Sequence, residues 1–342
     1  MKDKRKDDRI KSLVAEVADG RHAQLVEEMI ETALRFGRDK TNIGDLKLYN
    51  RAMRELRFAA SIFAKYNGIR KVAVFGSART SPEAEEYRLA RAFAARMVAE
   101  GNMIITGGGD GIMGAAQEGA GADRSFGLNI RLPFEQKAND VIDGDPKLIN
   151  FHYFFTRKLN FVKETHAFAL FPGGFGTHDE GFEVLTLIQT GKSPLVPIIL
   201  MDRPNGHYWE TWRRFVVNDQ LEQGLISKAD LNLFHITHDI EEATRLILDF
   251  YRNFHSYRWV RQKMVVRVQR ALTKTALAEL NREFAQLLSS GAIEQSAALP
   301  EESDDTHLSH LPRITLFPKK EFGSIRLFLT ALNKCETVPV SS

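Results

Sequence analysis

His166-Ala167-Phe168-Ala169-Leu170-Phe171 runs straight into Pro172-Gly173-Gly174-Phe175-Gly176-Thr177-His178-Asp179-Glu180. The first six residues read as a buried parallel strand, continuously apolar rather than alternating. The run Glu180 to Gln189 (EGFEVLTLIQ) is amphipathic and reads as a helix. Gly173, Gly174 and Gly176 therefore sit in a strand-to-helix turn, where glycine permits positive φ and lets a ligand approach the main chain. Amides at the start of the helix face that ligand, and the helix dipole favours an anion, with phosphate the obvious candidate. Glu180, about one turn (~5 Å) into the helix, could then reach a sugar lying beyond the phosphate. Read without a ligand, the same stretch is a tight turn capped by Thr177 with acidic first-turn residues.

Outward from this turn, strands and helices alternate. Lys71 to Phe75 is a strand followed by Gly76-Ser77-Ala78-Arg79-Thr80, with a helix from about Pro82 to Glu100. Asn102 to Thr106 is a strand leading into Gly107-Gly108-Gly109-Asp110-Gly111 and an alanine-rich helix. Ser125 to Leu132 and Leu195 to Met201 are further strands. Helices are predicted over Thr156 to Glu164, near Tyr208 to Leu221, and over Ile240 to Tyr251. The alternation predicts an α/β fold with a doubly wound parallel sheet over residues 70–257. Ligands in such sheets bind beyond the carboxyl ends of the strands, so the three glycine turns should converge on one cleft. Gly107 to Gly111 does not fit a dinucleotide fingerprint, and no P-loop lysine follows it. Gly76, Ser77, Gly107, Gly108, Gly109 and the residues Gly173 to Thr177 are the candidate phosphate and sugar contacts. Together they suit a ligand with one phosphate and one sugar. Arg157 could set a planar cation against a phosphate or hydroxyl, with Lys158 beside it; the alternative is a surface cation.

The flanks read differently. Residues 1–69 form an N-terminal helical arm, with Leu25, Met29, Ile30 and Leu34 at helical spacing. Residues 258–342 read as a small α+β extension: Met264 to Val268 is short and apolar, Leu272 to Leu288 a helix, 293–312 a mobile loop, Ile314 to Phe317 a strand and Gly323 to Leu332 a helix. The 342-residue chain carries 47 basic and 44 acidic residues, a net charge of +3 too balanced for a nucleic-acid binder. Cys335 alone can build neither a disulfide framework nor a cysteine metal site, and points to a reducing, cytoplasmic setting. No apolar run reaches the ~18 residues of a membrane span, and the charged first nine residues are no signal peptide. His152, His166 and His178 show no metal-ligand spacing. No cofactor is called for.

Gly107-Gly108-Gly109 with Gly111 and Gly114, Thr156-Arg157-Lys158, and Pro172-Gly173-Gly174-Phe175-Gly176-Thr177 with Glu180 resemble the LOG ("Lonely Guy") family, long mislabelled lysine decarboxylases. The resemblance covers roughly residues 70–250. The runs Leu132-Pro133-Phe134-Glu135-Gln136 and Leu185 to Lys192 resemble one bacterial branch. The resemblance implies a Rossmann-like fold, a homodimer, and hydrolysis of the N-glycosidic bond of a nucleoside 5'-monophosphate, such as AMP or a cytokinin riboside monophosphate. It also implies that the catalytic pair is Arg157 and Glu180. His178 and Gly181 stand where many members carry apolar residues. A nucleotide sensor using the same cleft without chemistry is the alternative reading. A pyridoxal-dependent lysine decarboxylase finds no support, because nothing marks a Schiff-base lysine beside a pyridinium partner.

Overall fold

The computed structural model describes residues 2–132 and 137–339, with side chains from Asp8 onward. The run Leu132 to Gln136 singled out above lies, beyond its first residue, outside the described residues. The chain divides into two units, Met1–Ser61 and Ile62–Ser342. The first unit comprises α1 (Lys2–Ala15), α2 (Gly20–Arg38) and most of α3 (Ile43–Phe63). Phe36 of α2 stacks on Tyr49 of α3 at 5.0 Å. Leu25, Met29 and Leu34 of α2 remain exposed.

The second unit opens with β1 (Lys71–Phe75), α4 (Glu85–Ala99), β2 (Met103–Thr106), α5 (Ile112–Ala120) and β3 (Ser125–Ile130). Then come β4 (Leu148–Phe151), α6 (Phe154–Glu164), β5 (Ala167–Leu170), α7 (Phe175–Gln189) and β6 (Ile198–Met201). α8 (Tyr208–Phe215), β7 (His235–Thr237) and α9 (Ile240–Phe250) complete this part. The seven strands form one sheet in the order β4-β3-β2-β1-β5-β6-β7, all pairs parallel. The doubly wound α/β architecture is thus present. β5 returns to pair with β1, so the strand order reverses between them, and that reversal opens a crevice at their carboxyl ends.

Strand alternation decides which helices cover which face. Val72 and Val74 point into a layer with Phe93 and Met97 of α4, Ala115 of α5 and Ile247 of α9. Phe75, on the opposite face, meets Phe161 of α6 at 4.7 Å. α4 and α5 pack backbone to backbone, since a Cβ on Gly119 would lie 2.0 Å from the Arg91 carbonyl oxygen. Each buried phenylalanine here contributes about 2–3 kcal/mol of apolar burial, enough to hold β1 and β5 rigidly beneath their turns.

The C-terminal extension builds a second sheet. β8 (Phe254–Val260), β9 (Lys263–Val268), β10 (Leu288–Ser296) and β11 (Arg313–Pro318) pair antiparallel in the order β10-β11-β9-β8, with α10 (Lys274–Glu283) and α11 (Phe322–Leu332). The sequence reading missed β8 and most of β10, and it took 293–312 for a loop. That segment instead finishes β10 and forms a helical stretch, Pro300–Leu308. Its anchor is the buried Glu302, which accepts from Arg267 Nε at 2.9 Å and Arg313 Nε at 2.8 Å. Polar composition suggested exposure, but these charges are paired across the fold. Among the described residues no helix is long and apolar enough to cross a membrane.

Candidate functional site

The turns after β1 and β5 are hydrogen-bonded to each other beyond the strand ends. Phe171 N donates to Phe75 O at 2.8 Å and Ser77 N to Pro172 O at 3.1 Å. Gly173 is required by this approach: a Cβ there would lie 2.1 Å from Thr177 Oγ1 and 3.0 Å from Ser77 N. α7 begins at Phe175, five residues before the apolar period indicates, because Phe175 is followed by glycine and polar residues through Glu180 that carry no periodic signal. Glu180 is therefore five residues into the helix, about 7.5 Å along its axis. Thr177 N and His178 N donate to Gly174 O at 3.1 and 3.3 Å, while the amides of Gly174 to Gly176 precede the first helical acceptor and point out of the helix end.

A cleft of about 820 Å³ opens over these turns, lined by Gly76 and Ser77, by Gly173 through Thr177, and by Arg157 and Glu180. The structure thus brings together most of the residues singled out in the sequence. Gly107, Gly108 and Gly109 do not line it. Their turn makes room instead: a Cβ on Gly107 would lie 2.6 Å from Arg157 Nη2. Asn139 holds this turn from behind, its Nδ2 donating to Gly109 O at 2.9 Å and its backbone N to Gly108 O at 2.9 Å. Lys158 is also off the cleft lining, and bridges Glu183 at 2.7 Å and Asp179 at 2.9 Å.

Arg157 is fixed by three contacts. Its Nε donates to Leu128 O at 2.8 Å, its guanidinium lies 5.2 Å from the Phe161 ring centroid, and its Nη1 stands 3.9 Å from Glu180 Oε1. Glu180 Oε2 is 3.8 Å from Lys158 Nζ. Both distances are ion pairs rather than hydrogen bonds. Burial pushes the Glu180 carboxyl up to about 6 against the pull of Arg157 and Lys158. Burial also lowers Arg157 despite Glu180 and Asp179. On both partners desolvation outweighs an attraction acting across almost 4 Å. Asp179, by contrast, is 59% exposed. The result is a buried carboxylate and a buried guanidinium facing one cleft with hydrogen-bonding capacity unspent.

Sequence reasoning missed several cleft residues. Arg79, four residues past β1, lines the opening, as do Met113 and Phe154. Phe175 is almost wholly exposed at the start of α7. Arg79 was detectable as a cation in a strand-end turn; Phe154 carried no local signal. Tyr208 was undetectable from sequence. Its hydroxyl donates to Gly173 O at 2.5 Å and meets His178 Nε2 at 2.7 Å, while its backbone N donates to the buried Asp202 at 2.7 Å.

The family model described as "Possible lysine decarboxylase" matches residues 113–247. The chain is 28% identical over 176 residues to the cytokinin riboside 5'-monophosphate phosphoribohydrolase of Mycobacterium tuberculosis, covering 51% of this chain and 91% of that protein. Among solved structures, the molybdenum cofactor carrier protein of Chlamydomonas reinhardtii is 20% identical with a TM-score of 0.37, covering 53% of this chain and 98% of that one. The molybdenum cofactor binding protein of Rippkaea orientalis is 22% identical with a TM-score of 0.34, covering 52% of this chain and 94% of that one.

Proposed function

The matched segment of this chain belongs to the LOG family of phosphoribohydrolases, and from that premise we propose that it hydrolyses a nucleoside 5'-monophosphate to free base and ribose 5-phosphate. One observation carries the reading: Glu180, buried and ionisable near neutral pH, faces the cleft a turn and a half beyond the anion-binding helix end. The 5'-phosphate sits on the first-turn amides of α7, which fixes the ribose along the helix toward Glu180. Heterolysis of the bond between C1' and the base leaves positive charge on the sugar, as in glycoside hydrolysis. The Glu180 carboxylate stabilises that charge and accepts the proton of the attacking water, whose oxygen bonds to C1'. The base departs with the bonding electron pair and takes up a proton from solvent, and Glu180 returns the water proton to solvent, which restores the carboxylate. Arg157 orients the carboxylate or a ribose hydroxyl. AMP and cytokinin riboside monophosphates are the substrates to try first. The same proposal includes a homodimer, supported by the exposed apolar residues of α2; light scattering giving a monomer mass would count against that part.

The test is release of adenine from AMP, followed by chromatography, with binding followed separately by calorimetry. Glu180→Gln should bind AMP and lose on the order of 10²-fold or more in turnover. Arg157→Ala should weaken binding and turnover together, and the exposed Asp179→Asn should change little. Wild-type binding without turnover across a panel of monophosphates would make the cleft a sensor instead.

A further inference from the structure

We infer that the groove between α9 and α11 is a second anion site, shaped for a phosphate monoester with an apolar body. The groove encloses about 410 Å³ and shares no lining residue with the catalytic cleft. Ile198 and His235, which open β6 and β7, lie in its wall. It therefore sits at the amino ends of the parallel strands, on the opposite edge of the sheet from the cleft.

Arg326 is the centre of the argument. Its guanidinium lies 4.3 Å from the Phe250 ring centroid and its Nη1 donates to Thr330 Oγ1 at 2.7 Å. Its Nε is shut from water with no hydrogen-bond partner. Among the described residues it meets the Phe250 ring and the Thr330 hydroxyl, with no carboxylate as counter-charge. A half-buried cation normally finds a carboxylate, because a desolvated charge left alone is costly. Even after the downward push of burial, to about 10, this group stays charged at neutral pH. Arg245 and Lys334 add two exposed cations to the same groove. The one acid in the lining, Asp249, is already engaged by Arg252 at 2.5 Å. Leu233, Phe234 and Leu246 supply the apolar wall.

A stacked arginine whose Nη2 bonds no described residue, two more cations at the rim and an apolar wall match a dianionic head joined to an apolar group. α9 belongs to the parallel-sheet domain and α11 to the C-terminal extension, so an occupant would touch both and resist their separation.

The probe is phenyl phosphate, titrated calorimetrically into the full chain. We expect two classes of site in the wild type. Arg326→Met, which keeps the stem over Phe250, should weaken one class at least tenfold while leaving AMP hydrolysis at its wild-type rate. Arg245→Ala with Lys334→Ala, both exposed and therefore tolerant, should weaken the same class several-fold. Gly173→Ala, which blocks the catalytic turn, should remove the other class. The proposal is overturned if the two groove variants titrate like the wild type, or if Gly173→Ala abolishes all binding. If Arg326→Met does not fold, an unchanged titration of the double variant overturns it alone. Inorganic phosphate binding as tightly as phenyl phosphate would remove the apolar body from the claim. Because the groove readout is binding, failure of AMP hydrolysis leaves it standing.

Discussion

Glu180 and Glu302 are both buried carboxylates beside basic side chains, and they are built in opposite ways. Glu302 accepts from Arg267 Nε at 2.9 Å, Arg313 Nε at 2.8 Å and the Leu299 amide at 3.1 Å. Burial pushes its carboxyl up, but the bonds from Arg313, Leu299 and Arg267 outweigh it and the net direction is down. Glu180 has its two cations at 3.9 and 3.8 Å, beyond hydrogen-bond reach, and its carboxyl goes up to about 6. A cluster that closes its own hydrogen bonds holds a fold together. One that leaves them open, beside a cleft, keeps them for something that enters.

The largest test of this contrast is at Glu302. Removing it strands Arg313, which is fully buried, and leaves the nearly buried Arg267 with Asp305 as its one carboxylate among the described residues. Glu302→Ala should cost about 3–5 kcal/mol of stability, read as a fall in denaturant midpoint. AMP hydrolysis by the fraction still folded should be unchanged. A drop in specific activity without loss of stability would put Glu302 on the wrong side of the comparison.

The pH dependence separates the pair next. The folded Glu180 carboxyl lies near 6, above its ordinary 4.5. The native state therefore holds a proton there that the unfolded chain releases earlier. Its contribution to stability is complete below about 4.5 and is lost as pH rises through about 6, on the order of 2 kcal/mol in all. Glu302 works the other way, since its folded value is depressed. Its contribution is present above the ordinary 4.5 and disappears as pH falls through the lower folded value. The stability of Glu180→Gln relative to wild type should accordingly rise between pH 4.5 and 7. kcat/KM should climb through the same window as the carboxylate forms. A flat stability difference across that window would mean that Glu180 is not desolvated as its burial indicates.

How much of this was written locally in the chain follows the same division. β1, β2, β5 and β6 were legible because continuous apolar runs such as Ala167–Leu170 end in glycine turns. The cleft residues Gly76, Ser77 and Gly173 to Thr177 followed from that pattern. The Gly107 turn was ambiguous in sequence, because a glycine that admits a ligand and one that makes room for Arg157 look alike. The Pro300–Leu308 segment misled because acids, serine and proline suggest a loop until Arg267 and Arg313 are brought across the sheet. Arg326 and its groove depend on α9 and α11, which no sequence period connects.

The smallest effect belongs to Tyr208, which tests how the open cluster is aimed. The Gly173 carbonyl can only accept, so the tyrosine proton lies on that 2.5 Å bond. His178 must then donate its Nε2–H to the tyrosine oxygen at 2.7 Å, a tautomer compatible with a ring whose pKa burial lowers. Tyr208 is itself set by Asp202, which takes its backbone N–H at the start of α8. Asp202 thus fixes the backbone at the start of α8, and the Tyr208 hydroxyl carried there braces the glycine turn proposed to hold the phosphate. Tyr208→Phe leaves the ring but strands the Gly173 carbonyl and the His178 N–H, a loss of about 1 kcal/mol. Because the turn meets the phosphate in ground state and transition state alike, KM for AMP should rise about fivefold while kcat stays near wild type. A lowered Tm with unchanged KM would make the hydroxyl purely structural. A fall in kcat at constant KM would mean that the hydroxyl acts through Glu180 instead, with the phosphate turn indifferent to it.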